Sequence, residues 1–118
     1  MNLHWQNFLI AEEEGGAIVG IGQVKAHGDG SRELASMVVV PERRGQGIGE
    51  ALIESLIAAH PGDLYLTCRR ELRGYYERFG FRLLAEEEYT RFFKRLIPAV
   101  NLLARIARTR ILVMRRVG

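Results

Sequence analysis

The fold is decided by residues 33–58, which read ELASMVVVPERRGQGIGEALIESLIA. An apolar, β-branched run ends at Pro41, two arginines and three alternating glycines follow it, and apolar residues then recur at helical spacing from Ile48. The first N–H groups of a helix lack internal partners and lie at the positive end of its dipole, and glycines let a phosphate approach the backbone. A strand, a glycine-rich turn and a helix in this order therefore predict a site for a phosphorylated ligand.

Two common phosphate-binding patterns do not fit this stretch. A P-loop needs Gly-Lys-Ser/Thr at the start of the helix, and the sequence has none there. The dinucleotide fingerprint would need a glycine at position 50, which is Glu50. A second glycine pair, Gly20 and Gly22, is followed by no helix pattern. We interpret that pair as a place where another element approaches a strand closely or where the strand bends.

Length and composition indicate a single domain over residues 1–118. A hydrophobic content of 47% and a charged content of 26% are typical of a soluble globular protein. No apolar run approaches the ~20 residues that cross a membrane, and the first residues lack the layout of a signal peptide. The single cysteine, Cys68, excludes an internal disulfide and favours the reducing cytoplasm. The three histidines have no metal-ligand spacing with one another or with Cys68, so no metal site is expected.

The net charge of +3 is divided unevenly along the chain. Residues 1–90 hold all 14 acidic side chains and nine of the 17 basic ones, a balance of −5. Residues 91–118 hold the other eight basic groups and no acidic group, a balance of +8. Such a segment suits nucleic acid, an anionic membrane surface or an acidic partner, or it is the solvated face of a helix on an acidic body. Because it carries no groove-reading motif, nucleic acid is not the favoured partner.

Hydrophobic periodicity predicts a mixed α/β fold with a sheet of about six strands. Residues 8–25 are typical of a β-hairpin, and the run from Leu34 to Val40 predicts a central strand buried on both faces. Further elements are expected as helices over residues 46–60, 71–79 and 90–108 and as strands over residues 63–67, 81–84 and 111–114. Pro98 is expected to kink or restart the last helix.

Two motifs resemble those of a known family. Arg44-x-x-Gly47-x-Gly49, after Val39-Val40-Pro41, resembles the acetyl-CoA signature of the GCN5-related N-acetyltransferases (GNAT). About 30 residues further on, GYYERFGF (residues 74–81) resembles the family's Phe-Tyr-Glu-x-x-Gly-Phe corner from helix to strand. The match covers roughly residues 6–90, with residues 91–118 as a basic C-terminal helix and last strand. It implies a GNAT-like, mostly antiparallel sheet with a splayed central pair and flanking helices.

The resemblance implies an acetyl-CoA-dependent N-acetyltransferase in which an amine attacks the bound thioester directly. The CoA pyrophosphate would be held by the backbone N–H groups of Arg44, Gly45, Gln46, Gly47, Ile48 and Gly49. The strand at Met37, Val38 and Val39 would separate from its neighbour and pair with the pantetheine amides, and an N–H near Val38 would polarise the thioester carbonyl. Plain core packing is the alternative for that strand. Solvent exposure is the alternative for Arg43 and Arg44, of which at least one is expected to contact the pyrophosphate.

The resemblance also assigns two proton-transfer roles. Tyr76 resembles the tyrosine that protonates the departing CoA thiolate, with Tyr75 as its structural competitor. A thiolate whose thiol has a pKa near 8.5 needs only a modest acid, and a phenol can supply the proton. The acceptor amine must lose a proton before it attacks, and Glu33 is the candidate base, acting through water. An ordinary surface glutamate is the equal alternative for Glu33.

Two departures from the family pattern leave the acceptor open. Arg69 stands where many members have an asparagine, which affects one CoA contact. The chain also opens near the family's second strand, around residues 5–11, without the strand and helices that wall the acceptor site. The C-terminal helix or a second subunit would complete the wall, and a symmetric homodimer is one arrangement. Two other classes stay open: a CoA-binding or regulatory module without turnover, and an interaction protein whose basic tail binds RNA or an acidic surface.

Overall fold

The computed structural model describes residues 1–5 and 8–118, which form two compact units. The first unit is Met1–Lys25 with Leu34–Pro61, and the second is Ala26–Glu33 with Gly62–Gly118. The predicted start of the cofactor-binding core at residue 6 lies outside the described residues. The elements are β1 (Asn2–Trp5), β2 (Leu9–Glu12), β3 (Ile18–Ala26), β4 (Arg32–Val39), α1 (Ile48–Ala59), β5 (Leu64–Arg69), α2 (Arg73–Glu77), β6 (Arg82–Leu83), α3 (Arg91–Ala104) and β7 (Ile111–Arg116).

The strands follow the order β1-β2-β3-β4-β5-β7-β6 in a seven-stranded sheet. In the first unit, β1 and β3 are both antiparallel to β2. β4 starts in the second unit, where it runs parallel to β5 with Glu33 opposite Tyr65. β7 lies between β5 and β6 and is antiparallel to both. The predicted mixed, mostly antiparallel sheet is confirmed, with one strand more than expected.

The core of the first unit lies between α1 and the strands. The inward face of α1 consists of buried apolar residues at helical spacing, namely Ile48, Leu52, Ile53 and Leu56. A Cβ atom added at Gly20 would lie 3.0 Å from Leu52 Cδ1, and one added at Gly22 would lie 2.9 Å from Leu56 Cδ1. The absence of side chains at these two positions lets α1 lie close against β3. The interpretation of this glycine pair as a point of close approach is confirmed.

The core of the second unit is built on β7. α3 packs against this strand. The buried cluster consists of Leu84, Phe93, Ile97 and Val113. Asn101 joins α3 to the start of β7, because its Oδ1 accepts the Ile111 N–H at 2.8 Å and its Nδ2 donates to the Ile111 carbonyl at 3.4 Å. Apolar burial and a paired amide thus hold the helix on the sheet.

Three features differ from the sequence prediction. β1 is an additional strand, and its exposed and half-buried side chains carry little periodic signal. α3 continues through Pro98 without a restart, because Phe93 and Ile97 bury its inner face and this packing outweighs one lost hydrogen bond. The prediction that β4 is buried on both faces is wrong, since the Val38 side chain is 53% exposed. Among the described helices, none is long and apolar enough to cross a membrane.

Candidate functional site

The glycine-rich loop between β4 and α1 has the geometry that its sequence predicts. A short 3-10 turn at Pro41–Arg43 follows the strand, and α1 begins at Ile48. Gly45 and Gly47 have φ values of +78° and +85°, a region that L side chains adopt only with strain. No other atom lies within 4 Å of a Cβ built on either glycine, so these positions face open space. The backbone is therefore accessible at the N-terminus of a twelve-residue helix, where an anion is favoured.

The two arginines of this loop have different partners. Arg43 forms a two-point ion pair with Glu13, with Nε–Oε2 at 2.8 Å and Nη2–Oε1 at 3.3 Å. This hydrogen bonding lowers the pKa of Glu13 and raises the pKa of Arg43. Arg44 donates from Nε to the Val39 carbonyl at 3.2 Å, so its side chain folds back over the end of β4. The Arg43 side chain is thus held at the turn between β2 and β3 by Glu13. The Arg44 side chain lies against β4, the strand that leads into the loop.

β4 contains an irregular residue that sequence reasoning missed. Ser36 has a φ of +57°, which is unusual for a residue other than glycine and especially so inside a strand. Its hydroxyl accepts a hydrogen bond from Gln23 Nε2 at 2.8 Å. The predicted residues Met37, Val38 and Val39 follow directly and belong to the same unit as the loop. The only hint of this irregularity in the sequence is a serine within an apolar run. A serine there does not by itself predict a left-handed conformation.

Tyr76 is half-buried in the second unit, on α2. Its ring packs edge-on against Phe81, with the centroids 6.2 Å apart. Burial, together with the nearby Cys68, raises the pKa of the Tyr76 phenol above its ordinary value of 10.0. The hydroxyl therefore keeps its proton throughout the neutral range. Tyr75 instead packs against Phe79 at 5.5 Å.

Glu33 forms a pair with His27 near the start of β4. Glu33 Oε1 lies 2.8 Å from His27 Nε2, and the two side chains are only 13% and 16% exposed. The alternative of an ordinary surface glutamate does not fit this burial. The His27 ring lies against the Phe92 ring, with centroids 3.7 Å apart. The sequence analysis did not predict this pair, because it forms only when β3 and β4 come together as a hairpin.

Asp29 fixes the start of α3 next to this pair. Its Oδ2 accepts the Phe92 N–H at 2.9 Å, and its Oδ1 accepts the backbone N–H and the hydroxyl of Ser31 at 2.9 and 2.6 Å. These bonds, first of all the one from the Ser31 hydroxyl, hold the pKa of Asp29 well below its usual range. The carboxylate thus serves as a cap from outside the helix, because it satisfies an N–H group that the first turn leaves open. Phe92 is thereby held over His27.

The structure distributes the predicted site residues between the two units. The loop residues Arg44–Gly49 and the strand residues Met37–Val39 lie together in the first unit, whereas Glu33 and Tyr76 belong to the second. No group of three or more His, Cys, Asp or Glu side chains among the described residues is placed to hold a metal ion.

Comparison with known proteins identifies the family. Residues 4–83 match the acetyltransferase (GNAT) domain, which is more than half of the chain. The chain belongs to the GNAT acetyltransferase family. No curated protein matches the sequence.

Solved structures of GNAT proteins have the same fold. An N-acetylglutamate synthase from Neisseria gonorrhoeae, complexed with coenzyme A and N-acetyl-glutamate, superposes with a TM-score of 0.70 at 19% identity, over 93% of this chain and 25% of that one. A GNAT acetyltransferase from Staphylococcus aureus gives a TM-score of 0.70 at 19% identity, over 93% and 66% of the two chains. Nourseothricin acetyltransferase gives 0.65 at 23% identity, over 93% and 64%. The chain therefore spans less than two thirds of the length of each of these proteins.

Proposed function

We propose that the chain is an acetyl-CoA-dependent N-acetyltransferase that transfers the acetyl group to an amine by direct attack on the thioester. The observation that carries this proposal is the loop before α1. There, Gly45 and Gly47 have positive φ and face open space at a helix N-terminus, in a chain of the GNAT family. Acetyl-CoA is the co-substrate, and the chemistry needs no metal. One neighbour was solved with coenzyme A and an N-acetylated amino acid, which fits this reaction class.

The donor is held by backbone groups. The N–H groups of Arg44, Gly45, Gln46, Gly47, Ile48 and Gly49 bind the pyrophosphate, which the helix dipole also attracts. The pantetheine arm pairs with the backbone of Met37–Val39. The φ of +57° at Ser36 supports this role, because it interrupts regular strand geometry directly before those residues. An N–H near Val38 polarises the thioester carbonyl as negative charge develops on its oxygen.

Tyr76 is the general acid. Attack of the amine on the thioester carbonyl gives a tetrahedral intermediate, whose collapse breaks the C–S bond and releases the CoA thiolate. The Tyr76 hydroxyl donates its proton to that sulfur. A pKa raised by burial suits the role, because the phenol stays protonated until the thiolate forms.

Glu33 is the general base, and His27 positions it. The amine must be neutral to attack, and the Glu33 carboxylate accepts its proton through a water molecule. The 2.8 Å bond to His27 Nε2 holds one carboxylate oxygen in place and leaves the other for the water. The pair is held under Phe92, so the geometry of the base depends on the correct docking of α3.

The acceptor site takes its wall from a second copy of the chain. β1 ends at Trp5 and β2 begins at Leu9, which leaves no room for the helices that wall the acceptor site in the family pattern. A homodimer that completes this wall is part of the proposal. A reducing cytoplasmic location agrees with the single, buried Cys68. A CoA-binding module without turnover is the second candidate, favoured by the same short connection between β1 and β2.

Thiol release measures the proposed reaction directly. Acetyl-CoA is mixed with the protein and a panel of amines (amino acids, polyamines, aminoglycosides and peptides), and free CoA is detected with a thiol reagent. We expect amine-dependent release with at least one class and an acetylated product by mass spectrometry. Binding of acetyl-CoA without release for every class would favour the second candidate. Absence of binding would contradict both.

A further inference from the structure

A cavity of about 610 Å³ lies beside α3 in the second unit. Its walls come from residues 86–89, from α3 and from the segment 105–110 that leads into β7. None of the residues assigned above to acetyl-CoA or to proton transfer lines it. The volume lies within the ~300–1,000 Å³ that is usual for small-molecule sites.

Apolar side chains form one part of the cavity wall. Ile97 is buried, and Pro98, Leu102 and the half-buried Tyr89 lie around it. The Leu102 side chain is 64% exposed, although it lies on a helix whose other face packs into a core. Burying such a group beneath a ligand is favourable, because it removes apolar surface from water.

Three cations line the same cavity. Lys94 and Arg105 have no carboxylate oxygen within 4.0 Å among the described residues, and the one acidic lining residue, Glu86, reaches Arg110 only at 3.9 Å with both side chains well exposed. The lining therefore has a net charge of +2. At this cavity, therefore, the carboxylates of the described residues do not fully neutralise the basic groups of residues 91–118. Cations next to an apolar wall favour a ligand that combines negative charge with apolar surface.

The remaining polar groups of the wall already have partners. Asn101 is bonded at both amide atoms to Ile111, and the Thr109 hydroxyl donates to Glu71 Oε2 at 2.9 Å. The Arg110 carbonyl accepts the Arg70 N–H at 2.9 Å. The cavity wall is thus preorganised, which lowers the entropic cost of binding. Recognition is then left to the cations and to the apolar surface.

We propose that this cavity binds a small organic anion with an apolar body, of the class of a medium-chain carboxylate. Lys94 and Arg105 lie at opposite ends of the apolar wall, about 16 Å apart along the helix axis. The carboxylate lies at one of these two cations, and the chain lies against Ile97, Pro98 and Leu102 between them. This ligand site goes beyond the proposed acetyl transfer and does not depend on it.

Three probes separate the two parts of this recognition. Octanoate has both the charge and the apolar body, octylamine has the same body with the opposite charge, and acetate has the charge alone. We expect octanoate to bind with a Kd of about 1 mM or tighter, and the other two to bind at least about tenfold more weakly, by calorimetry and by amide chemical shifts around α3. Added salt should weaken octanoate binding, because the cations are exposed. Equal binding of octylamine and octanoate would overturn the proposal, as would no binding of octanoate.

Variants on α3 and at Arg105, the residue that follows it, test the location. The double variant Lys94→Gln/Arg105→Gln should weaken octanoate binding at least about tenfold, and so should Leu102→Glu, which places a carboxylate where the chain lies. Arg95→Gln is the matched control, because Arg95 is an exposed cation on α3 that does not line the cavity. All of these positions are exposed, so circular dichroism should show a folded protein in each case. If the double variant binds octanoate as tightly as the Arg95→Gln control does, the cavity is not the site.

Discussion

Two tyrosines stand next to each other in α2, and their surroundings distinguish them. Tyr76 packs on Phe81 and has a raised pKa, whereas Tyr75 packs on Phe79 beside the Arg78 guanidinium. Adjacent residues on a helix point about 100° apart, so only one of the two can face a given ligand. Of the two, Tyr76 is the proposed acid.

Replacing Tyr76 by phenylalanine removes the proton donor and keeps the packing. We expect kcat to fall by about ten- to a hundredfold, near the lower end of general acid catalysis, because a thiolate is a good leaving group. Since burial raises the Tyr76 pKa, wild-type activity should begin to fall only at strongly alkaline pH, and the variant should lack that fall. Tyr75→Phe is the matched control and should keep its activity. If Tyr76→Phe has full kcat at every pH, Tyr76 is not the acid.

Glu33→Gln removes the charge of the base, while its amide oxygen can still accept a hydrogen bond from His27. We expect kcat/KM for the acceptor to fall by about a hundredfold at neutral pH, the lower range for loss of a general base. The loss should shrink as pH approaches the pKa of the amine, near 10.4 for a lysine-like acceptor, because the neutral amine then needs no base. A loss that is the same at every pH would indicate that Glu33 serves structure alone.

At the scale of single residues, the sequence predicted the loop geometry and proposed the tyrosine and the glutamate. The loop geometry was predictable because glycine, at positions 45 and 47, adopts a positive φ without strain. Ser36 and His27 were missed for a different reason. The left-handed Ser36 and the pairing of His27 with Glu33 exist only once β3 and β4 form their hairpin, and no local pattern encodes either of them.

Among the elements, the packing of α1 on β3 depends on a glycine with no room for a side chain. In Gly22→Ala the new Cβ would meet the flexible Met37 side chain of β4 first, at its Sδ, and would lie 2.9 Å from Leu56 Cδ1 of α1. Because both neighbours must shift, we expect a loss of about 1–3 kcal/mol in the free energy of unfolding. Gly28→Ala is the control, because a Cβ there has no other atom within 4 Å and the residue has no positive φ. Its unfolding free energy should change by less than about 0.5 kcal/mol. Urea denaturation measures the free energy of unfolding of both variants. Equal losses in Gly22→Ala and Gly28→Ala would contradict the assigned packing.

The docking of α3 depends on a carboxylate outside the helix. Asp29→Ala removes the acceptor of the Phe92 N–H, and we expect a lower urea midpoint at pH 7. The folded-state pKa of Asp29 is depressed, so this stabilisation is present above the unfolded pKa, near 3.9, and is lost as pH falls below it. The difference between wild type and variant should therefore shrink at pH 3. Glu87→Ala, at an exposed acidic residue, is the control and should show no difference at either pH.

The sequence correctly predicted the helices and strands whose buried residues recur at a regular helical or strand spacing. α1, β5 and β7 lie where apolar spacing places them, since each buries one or both faces within a unit. β1 was not predicted, and of the kink or restart expected at Pro98 the restart does not occur. The strand β1 is determined by its partner β2, and the helix through Pro98 is held by the core under Phe93 and Ile97. Intrinsic propensity contributes less than these neighbours do.

At the scale of the whole molecule, the family and the sheet were predicted, whereas the acceptor was not. Two motifs were enough to indicate a GNAT fold, because the loop and the helix-to-strand corner are local features of sequence. Acceptor recognition is not local in this way. β1 ends at Trp5 and β2 begins at Leu9, and three intervening positions are too few for the helices that the family pattern has there. The uneven charge is partly neutralised in the fold, since two basic groups of residues 91–118 pair with carboxylates of the second unit among the described residues, namely Arg115 with Asp63 and Arg110 with Glu86.

The most direct test of the central claim is a calorimetric titration of acetyl-CoA into wild type and two glycine variants. Gly47→Ala strains a φ of +85° in the loop, and Gly30→Ala, with a φ of +87° and equally open space, strains the turn between β3 and β4. Both should be destabilised by about 1–2 kcal/mol. We predict that wild type and Gly30→Ala bind one acetyl-CoA with a Kd below about 1 mM, and that Gly47→Ala binds at least about tenfold more weakly. Absence of wild-type binding, or equal affinity of the two variants, would contradict the account.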